Sequence, residues 1–270
     1  MRWFQDITLG NYYPADSVVH RLDPRLKMTA MALLMGMTFA VSNPWAILLQ
    51  SLAIIAAVRL SRIPMTYFLR SLRFFVWLFF FTAVLHLFFT PGEPVPGSPF
   101  LGFIRVTYEG IAEGGLISWR LITVIALSSI FTSTTTPLEI TRGMESILSP
   151  LGKLHFPVQD FSLMMMMAIR FIPVLSDETQ KIWKAQKSRG ADLGHGGIKR
   201  RTRALVSILL PVFVGIFRRA DDLAKALEAR GYVPGKRRTS MKELIWTGRE
   251  SMALIIILIL SFSLLTLQSL

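Results

Sequence analysis

The chain has 270 residues, of which 52% are hydrophobic and 17% charged, with a formal net charge of +13. Soluble domains average about 25% charged residues, and a mean hydropathy of +0.48 excludes an ordinary soluble domain. Cysteine is absent, which removes disulfides and thiolate metal sites.

At the N-terminus Asp6, Asp16 and Asp23 precede the first apolar run. They do not read as a cleavable signal peptide, so the first membrane helix is expected to remain in the mature protein. The stretch Met28–Val58 carries no charge and exceeds the roughly 20 residues that one span needs. Ser42-Asn43-Pro44 is a turn signal in its middle. The spacing predicts two short, tightly connected helices, roughly 26–42 and 44–58. A third span is expected from Phe74 to Phe89, stopped by Thr90-Pro91-Gly92-Glu93-Pro94. The fourth runs from about Gly115 to Thr132, with Arg120 near its outer end, where a long side chain can snorkel to the interface. The fifth, Met252–Leu267, closes the chain.

Charge orients these spans. Arg21, Arg25 and Lys27 precede the first, and Arg59, Arg62, Arg70 and Arg73 separate the second from the third. The loop from Thr90 to Glu113 sets Arg105 against Glu93, Glu109 and Glu113. Lysine and arginine in short loops mark the cytoplasmic side. The N-terminus is therefore expected inside, the Asn43 turn and the Pro-rich loop outside, and the C-terminus outside. A single helix over 28–58 would put Arg59–Arg73 on the wrong side.

The insert between the fourth and fifth spans holds most of the positive charge. Phe161–Ile169, with the run Met164, Met165, Met166, Met167, is apolar and leads through Arg170 into Phe171-Ile172-Pro173-Val174-Leu175. Ala204–Phe217 is apolar again, contains Ile208, Pro211 and Val212, and ends at Arg218 and Arg219. Each run continues into a charged helical pattern. Ile216, Ala220, Leu223 and Leu227 form one stripe, and Ile172, Leu175, Ile182 and Trp183 share a broader face. Two long helices result, apolar first and amphipathic second. The methionines suit a surface that re-packs, and they suit a core gap equally. Thr132–Thr136 before Pro137 is a polar break whose hydroxyls can satisfy open backbone groups.

Both long helices end alike, in Lys187-Ser188-Arg189-Gly190 and Glu228-Ala229-Arg230-Gly231. The glycines stand where a left-handed residue closes a helix. An arginine in the last turn gains about 0.3–1 kcal/mol against the helix dipole, which accounts for one copy. The repetition adds a second reading. A small residue one turn before the arginine admits a close partner, and the guanidinium offers a rigid fork to a carboxylate. The basic stretches Lys199-Arg200-Arg201-Thr202-Arg203 and Lys236-Arg237-Arg238 suit anionic lipid at a cytoplasmic surface. Nucleic acid is a poor fit for clusters inside an integral membrane protein.

No catalytic constellation emerges. His20, His86, His155 and His195 are scattered without metal-binding spacing, and no phosphate-binding glycine loop with its lysine is present. His86 lies inside the third span, where an ionisable group invites a transport role or a local hydrogen bond. No cofactor is implied.

Taken together, the paired ends, Leu22-Asp23-Pro24-Arg25-Leu26-Lys27, Thr134-Thr135-Thr136-Pro137-Leu138, Arg170-Phe171-Ile172-Pro173 and Phe217-Arg218-Arg219-Ala220-Asp221 carry a resemblance. Over essentially its whole length the chain resembles the transmembrane coupling subunit (EcfT type) of energy-coupling factor transporters. That resemblance implies an all-α integral membrane bundle of about five spans. It would comprise membrane helices over 1–133, a cytoplasmic coupling domain of two long crossed helices over 134–249, and a last membrane helix over 250–270. It further implies that Ser188, Arg189 and Gly190 dock on one ATP-binding subunit, and Ala229, Arg230 and Gly231 on another. A membrane-embedded substrate-binding subunit would contact the apolar halves around Met164–Met167, Ile208 and Val212. The chain itself would be non-catalytic. Alternatives are the same role in a dedicated cobalt, nickel or biotin importer, a self-contained channel or carrier, and a membrane scaffold.

Overall fold

The structure, a computed structural model, describes residues 12–93, 107–154, 156–190, 197–236 and 246–269. Asp6, Arg105, His155, His195, Arg237 and Arg238, singled out above, lie outside the described residues, as do the side chains of Arg200 and Arg201. The described chain is α-helical throughout: α1 Pro24–Ala40, α2 Pro44–Leu60, α3 Met65–Arg73, α4 Val76–Phe89, α5 Tyr108–Thr134, α6 Pro137–Leu148, α7 Val158–Ser188, α8 Ile198–Ala229 and α9 Gly248–Ser269. A 3₁₀ turn, Ser149–Leu154, joins α6 to α7. Contacts divide the chain into two compact units, Gly10–Gly143 with Glu243–Leu270, and Met144–Lys242.

In the first unit the break expected at Asn43 is present. Asn43 caps α2 by accepting from the Trp45 amide at 3.0 Å, and Pro44 follows at the first helical position, where its missing N–H costs nothing. The turn is also clamped by the end of α9. Gln268 Oε1 accepts from the Ser42 and Asn43 amides at 2.8 and 2.9 Å, and Asn43 Nδ2 donates to the Leu267 carbonyl at 2.8 Å. Arg120 reaches the same end from α5, donating to the Val41 carbonyl at 3.1 Å and to Ser42 Oγ at 3.3 Å. That arginine thereby ties α5 to the turn between α1 and α2.

The opposite end of the unit joins two of the sequence strings that carry the resemblance. Lys27 Nζ donates to the Thr134 carbonyl at 2.9 Å and to the His20 carbonyl at 3.0 Å. The Tyr13 amide donates to the Ser133 carbonyl at 3.0 Å. Thr134 and Thr135 are fully buried, and Thr134 Oγ1 donates back to Ile130 at 2.8 Å. The next helix opens with a capping box: the Thr136 amide donates to Glu139 Oε2 at 2.9 Å and the Glu139 amide to Thr136 Oγ1 at 3.3 Å. The polar break at Thr132–Thr136 is thus a helix end and a helix start in series.

Between these ends α5 packs on α1, α2, α3 and α4, and α9 on α1 and α2. One apolar cluster is Ile54, Val58, Ala126, Leu127 and Ile130; another is Val41, Ala46 and Leu264. Gln50 is fully buried and donates to Thr38 Oγ1 at 2.7 Å, so α1 and α2 share a polar link inside an uncharged stretch. His86 half-faces Thr90, 3.3 Å from its hydroxyl, so its hydrogen bond is local.

Among the described residues three helices are long and apolar enough to cross a membrane: α5, α7 and α9. The shorter apolar helices α2 and α4 have 17 and 14 residues, about 25 and 21 Å at 1.5 Å per residue, against a hydrocarbon core of about 30 Å. α7 is among them although this helix is expected from its sequence on the cytoplasmic side. Two further helices have no counterpart in the sequence analysis. α3 sets Arg70 and Arg73 in its last turn beside exposed Met65 and Leu69, and α6 follows the polar break at Thr132–Thr136.

Candidate docking site at two helix ends

The second unit contains α6 from Met144, the 3₁₀ turn, α7 and α8. α7 is 31 residues long and α8 is 32, and each carries an internal proline, Pro173 and Pro211. Each proline removes one backbone donor inside the helix.

The two helices pack against each other and are joined by an ion pair. Glu178 Oε2 accepts from Arg219 Nε at 2.8 Å and from Nη2 at 2.7 Å. Gly215 makes room for it, since a Cβ there would lie 3.0 Å from Glu178 Oε1. Val174, Asp177, Glu178, Lys181 and Arg219 line a shallow cleft around the pair. Glu178 lies eleven residues before Arg189, and Arg219 eleven residues before Arg230. Eleven residues are close to three turns, about 16 Å along each axis. Both motif arginines therefore stand at the same distance from the link, and at nearly the same rotation.

The closures of the two helices match as far as their glycines. Arg189 has φ −88° and ψ 10°, and its amide donates to Ala185 and Gln186. Arg230 has φ −86° and ψ 6°, and its amide donates to Ala226 and Leu227. Gly190 follows at φ +84° and Gly231 at φ +72°, a region that costs other residues roughly 1–2 kcal/mol. Their amides donate to Lys187 at 3.0 Å and to Glu228 at 2.9 Å. At the second end the Tyr232 amide reaches the Leu227 carbonyl at 3.0 Å, which completes a Schellman motif.

Ser188, Arg189, Gly190, Ala229, Arg230 and Gly231 are all exposed. Among the described residues neither guanidinium has an ion pair or a side-chain hydrogen bond, whereas Arg219 and Lys225 on the same helix do. The glycines have open space where a Cβ would project. Each end thus presents an exposed planar donor fork on a closed helix end.

The apolar halves sort differently from the sequence reading. Met164 is 64% exposed and Met165 41%, while Met166 and Met167 are half-buried. On α8 Ile208 is buried with Ala204, one turn away, and Val212 is half-buried. The open apolar face of that helix is Leu205, Val206, Leu209, Leu210, Phe213, Val214 and Phe217. A run apolar on every side gives no periodicity from which to choose a face. At the foot of α7, Ser162 Oγ donates to Glu145 at 2.6 Å. Asp160, buried in the first turn, accepts from Tyr232 Oη at 3.2 Å and from the Gly235 amide at 2.8 Å. Asp160 and Tyr232 were not singled out by sequence, because nothing in their local pattern marks a contact across 72 residues. Among the described residues no group of His, Asp and Glu could hold a metal ion.

Fold and site define a helical integral membrane protein whose most polar part is a pair of long helices ending in matched arginines. Comparison with known proteins gives that class a family. The family described as "CbiQ: Cobalt transport protein" matches residues 15–241, and the chain belongs to it. It is 40% identical over 261 residues to the energy-coupling factor transporter transmembrane protein EcfT of Bacillus subtilis, covering 97% of this chain and 98% of that one. The protein of the same name from Thermanaerovibrio acidaminovorans is 44% identical over 255 residues, 93% of this chain and 92% of its own. That of Lactococcus lactis is 40% identical over 261 residues, 97% of each. The chain is a transmembrane component of a transporter.

Proposed function

We propose that this chain, a transmembrane component of an energy-coupling-factor transporter, links ATP hydrolysis in two partner subunits to movement of a membrane-embedded substrate-binding subunit. It would do so without catalysing a reaction. The observation that carries the reading is the twin closure of α7 and α8: two exposed arginines, in one backbone geometry, equally far from one ion pair. Helix capping alone asks for neither the equal spacing nor the unoccupied guanidiniums. A carboxylate on each ATP-binding partner would complete each fork, and a buried bidentate contact of this kind is costly to truncate, roughly 2–5 kcal/mol.

The membrane partner would rest on the apolar halves, at Met164 and Met165 on α7 and on the open face Leu205–Phe217 of α8. Lys199, Arg203 and Lys236, all exposed, would meet anionic lipid. The orientation proposed is N-terminus inside and C-terminus outside. Its support is the lysine and arginine bias of the short loops, and the hydrogen bonds between the Asn43 turn and the end of α9 put those two ends on one side of the bilayer.

The test is purification of the tagged full chain from native membranes in mild detergent, with mass spectrometry of what accompanies it. Two ATP-binding proteins and a small membrane protein are the expected companions, and the last would point to the cargo. Recovery of the chain alone, under conditions that keep complexes whole, would favour a self-contained carrier.

A further inference from the structure

The Arg230 end is held to the other long helix by a second contact, far from the Glu178–Arg219 link. Tyr232, two residues past Arg230, and Gly235 both donate to the Asp160 carboxylate in the first turn of α7. Gly235 has φ +75°, a conformation that a glycine adopts without penalty and that turns its amide onto Oδ2. Asp160 in a first turn is also favourable to the helix dipole, and that role alone would leave its oxygens to water. Here they are withdrawn from water, with the residue 7% exposed, and each oxygen takes a donor from the segment beyond α8.

Met164 lies one turn beyond Asp160, on the same face of α7. We infer that Asp160 is a positioning residue. Through Tyr232 and Gly235 it ties the Arg230 end of α8 to the foot of α7, so that a displacement at Arg230 is delivered to the Met164–Met165 surface without passing along α8. The inference rests on the proposed docking reading for what pulls on Arg230; the tie itself does not. With the Glu178–Arg219 ion pair it closes a triangle of α7, α8 and the Tyr232–Gly235 segment. A closed triangle turns as one body, whereas two helices crossing at a single ion pair can splay.

Because the chain lacks cysteine, paired spin labels can be placed on cysteines introduced at Met164 and Glu228 of the full chain in lipid nanodiscs. A single narrow distance peak is expected, and in the complex purified from native membranes ATP should leave it in place. In Asp160→Ala and in the milder Tyr232→Phe the peak should broaden, and ATP should shift it while ATP hydrolysis continues. An unchanged peak in both variants, with and without ATP, would overturn the tie. Arg230→Glu separates the two ideas: it should abolish capture of an ATP-binding partner while leaving the labelled distance in the isolated chain as it was. Capture that survives Arg230→Glu defeats the docking reading and leaves the tie to be judged on the isolated chain alone.

Discussion

Arg189 and Arg230 are the residues on which the proposed coupling turns, and their environment sets what substitution should do. Neither is buried or paired among the described residues, so replacement should leave the fold intact; reversing the charge at a helix C-terminus costs on the order of 1 kcal/mol against the helix dipole. Arg189→Glu and Arg230→Glu should each remove one ATP-binding partner from the purified complex, and the double substitution both, with the melting temperature only slightly lowered. Full retention of both partners in the double variant would end the docking reading. The glycines act through the backbone instead. Gly190→Ala and Gly231→Ala meet no neighbouring atom, yet they must carry a Cβ at positive φ, at roughly 1–2 kcal/mol. Faster amide exchange confined to the last turn of α7 or α8 is the expected signature.

At the scale of elements, the decisive contacts join helix ends. Lys27 holds the start of α1 to the end of α5 through the carbonyl of buried Thr134, and to the segment ahead of α1 through the carbonyl of His20. Hydrogen bonds from a charged donor contribute roughly 1.5–3 kcal/mol, so Lys27→Met should lower stability by about that amount in a detergent melt. An unaltered midpoint would mean that water replaces the lysine without loss. The link between α7 and α8 is weaker, because the Arg219 side chain is 43% exposed; exposed pairs contribute about 0.2–1 kcal/mol. Its role is geometric. Glu178→Arg should loosen the spacing of the two arginine tips, and the exchange Glu178→Arg with Arg219→Glu should restore it, as read from labels at Lys187 and Glu228.

For the whole molecule, the question is which ends share a side. The α1–α2 turn and the end of α9 are clamped together by Asn43 and Gln268, while Lys27, His20 and Thr134 meet at the other end of the same unit. Single cysteines introduced at Ser42 and Ser269 should therefore be labelled by an impermeant reagent from the same face of intact cells, and one at Arg70 from the opposite face. Labelling of Ser42 and Arg70 from one face would break the proposed orientation.

Much of this was legible in the chain. An uncharged run too long for one span, with Asn-Pro inside it, dictates two helices, since Asn caps and Pro starts a helix. An arginine followed by glycine after an amphipathic stripe dictates how that helix closes, because both signals act within one turn. Local rules also decide the class: so apolar a chain cannot fold as a soluble domain. The remainder was settled by tertiary structure. Which side of the apolar run Ala204–Phe217 is open, where Arg120 finds its carbonyl, and that Asp160 meets Tyr232 are all decided by groups far apart in sequence. Hydrophobic patterning sets how much surface a helix must bury, and it is silent on the partner wherever the helix is apolar all round.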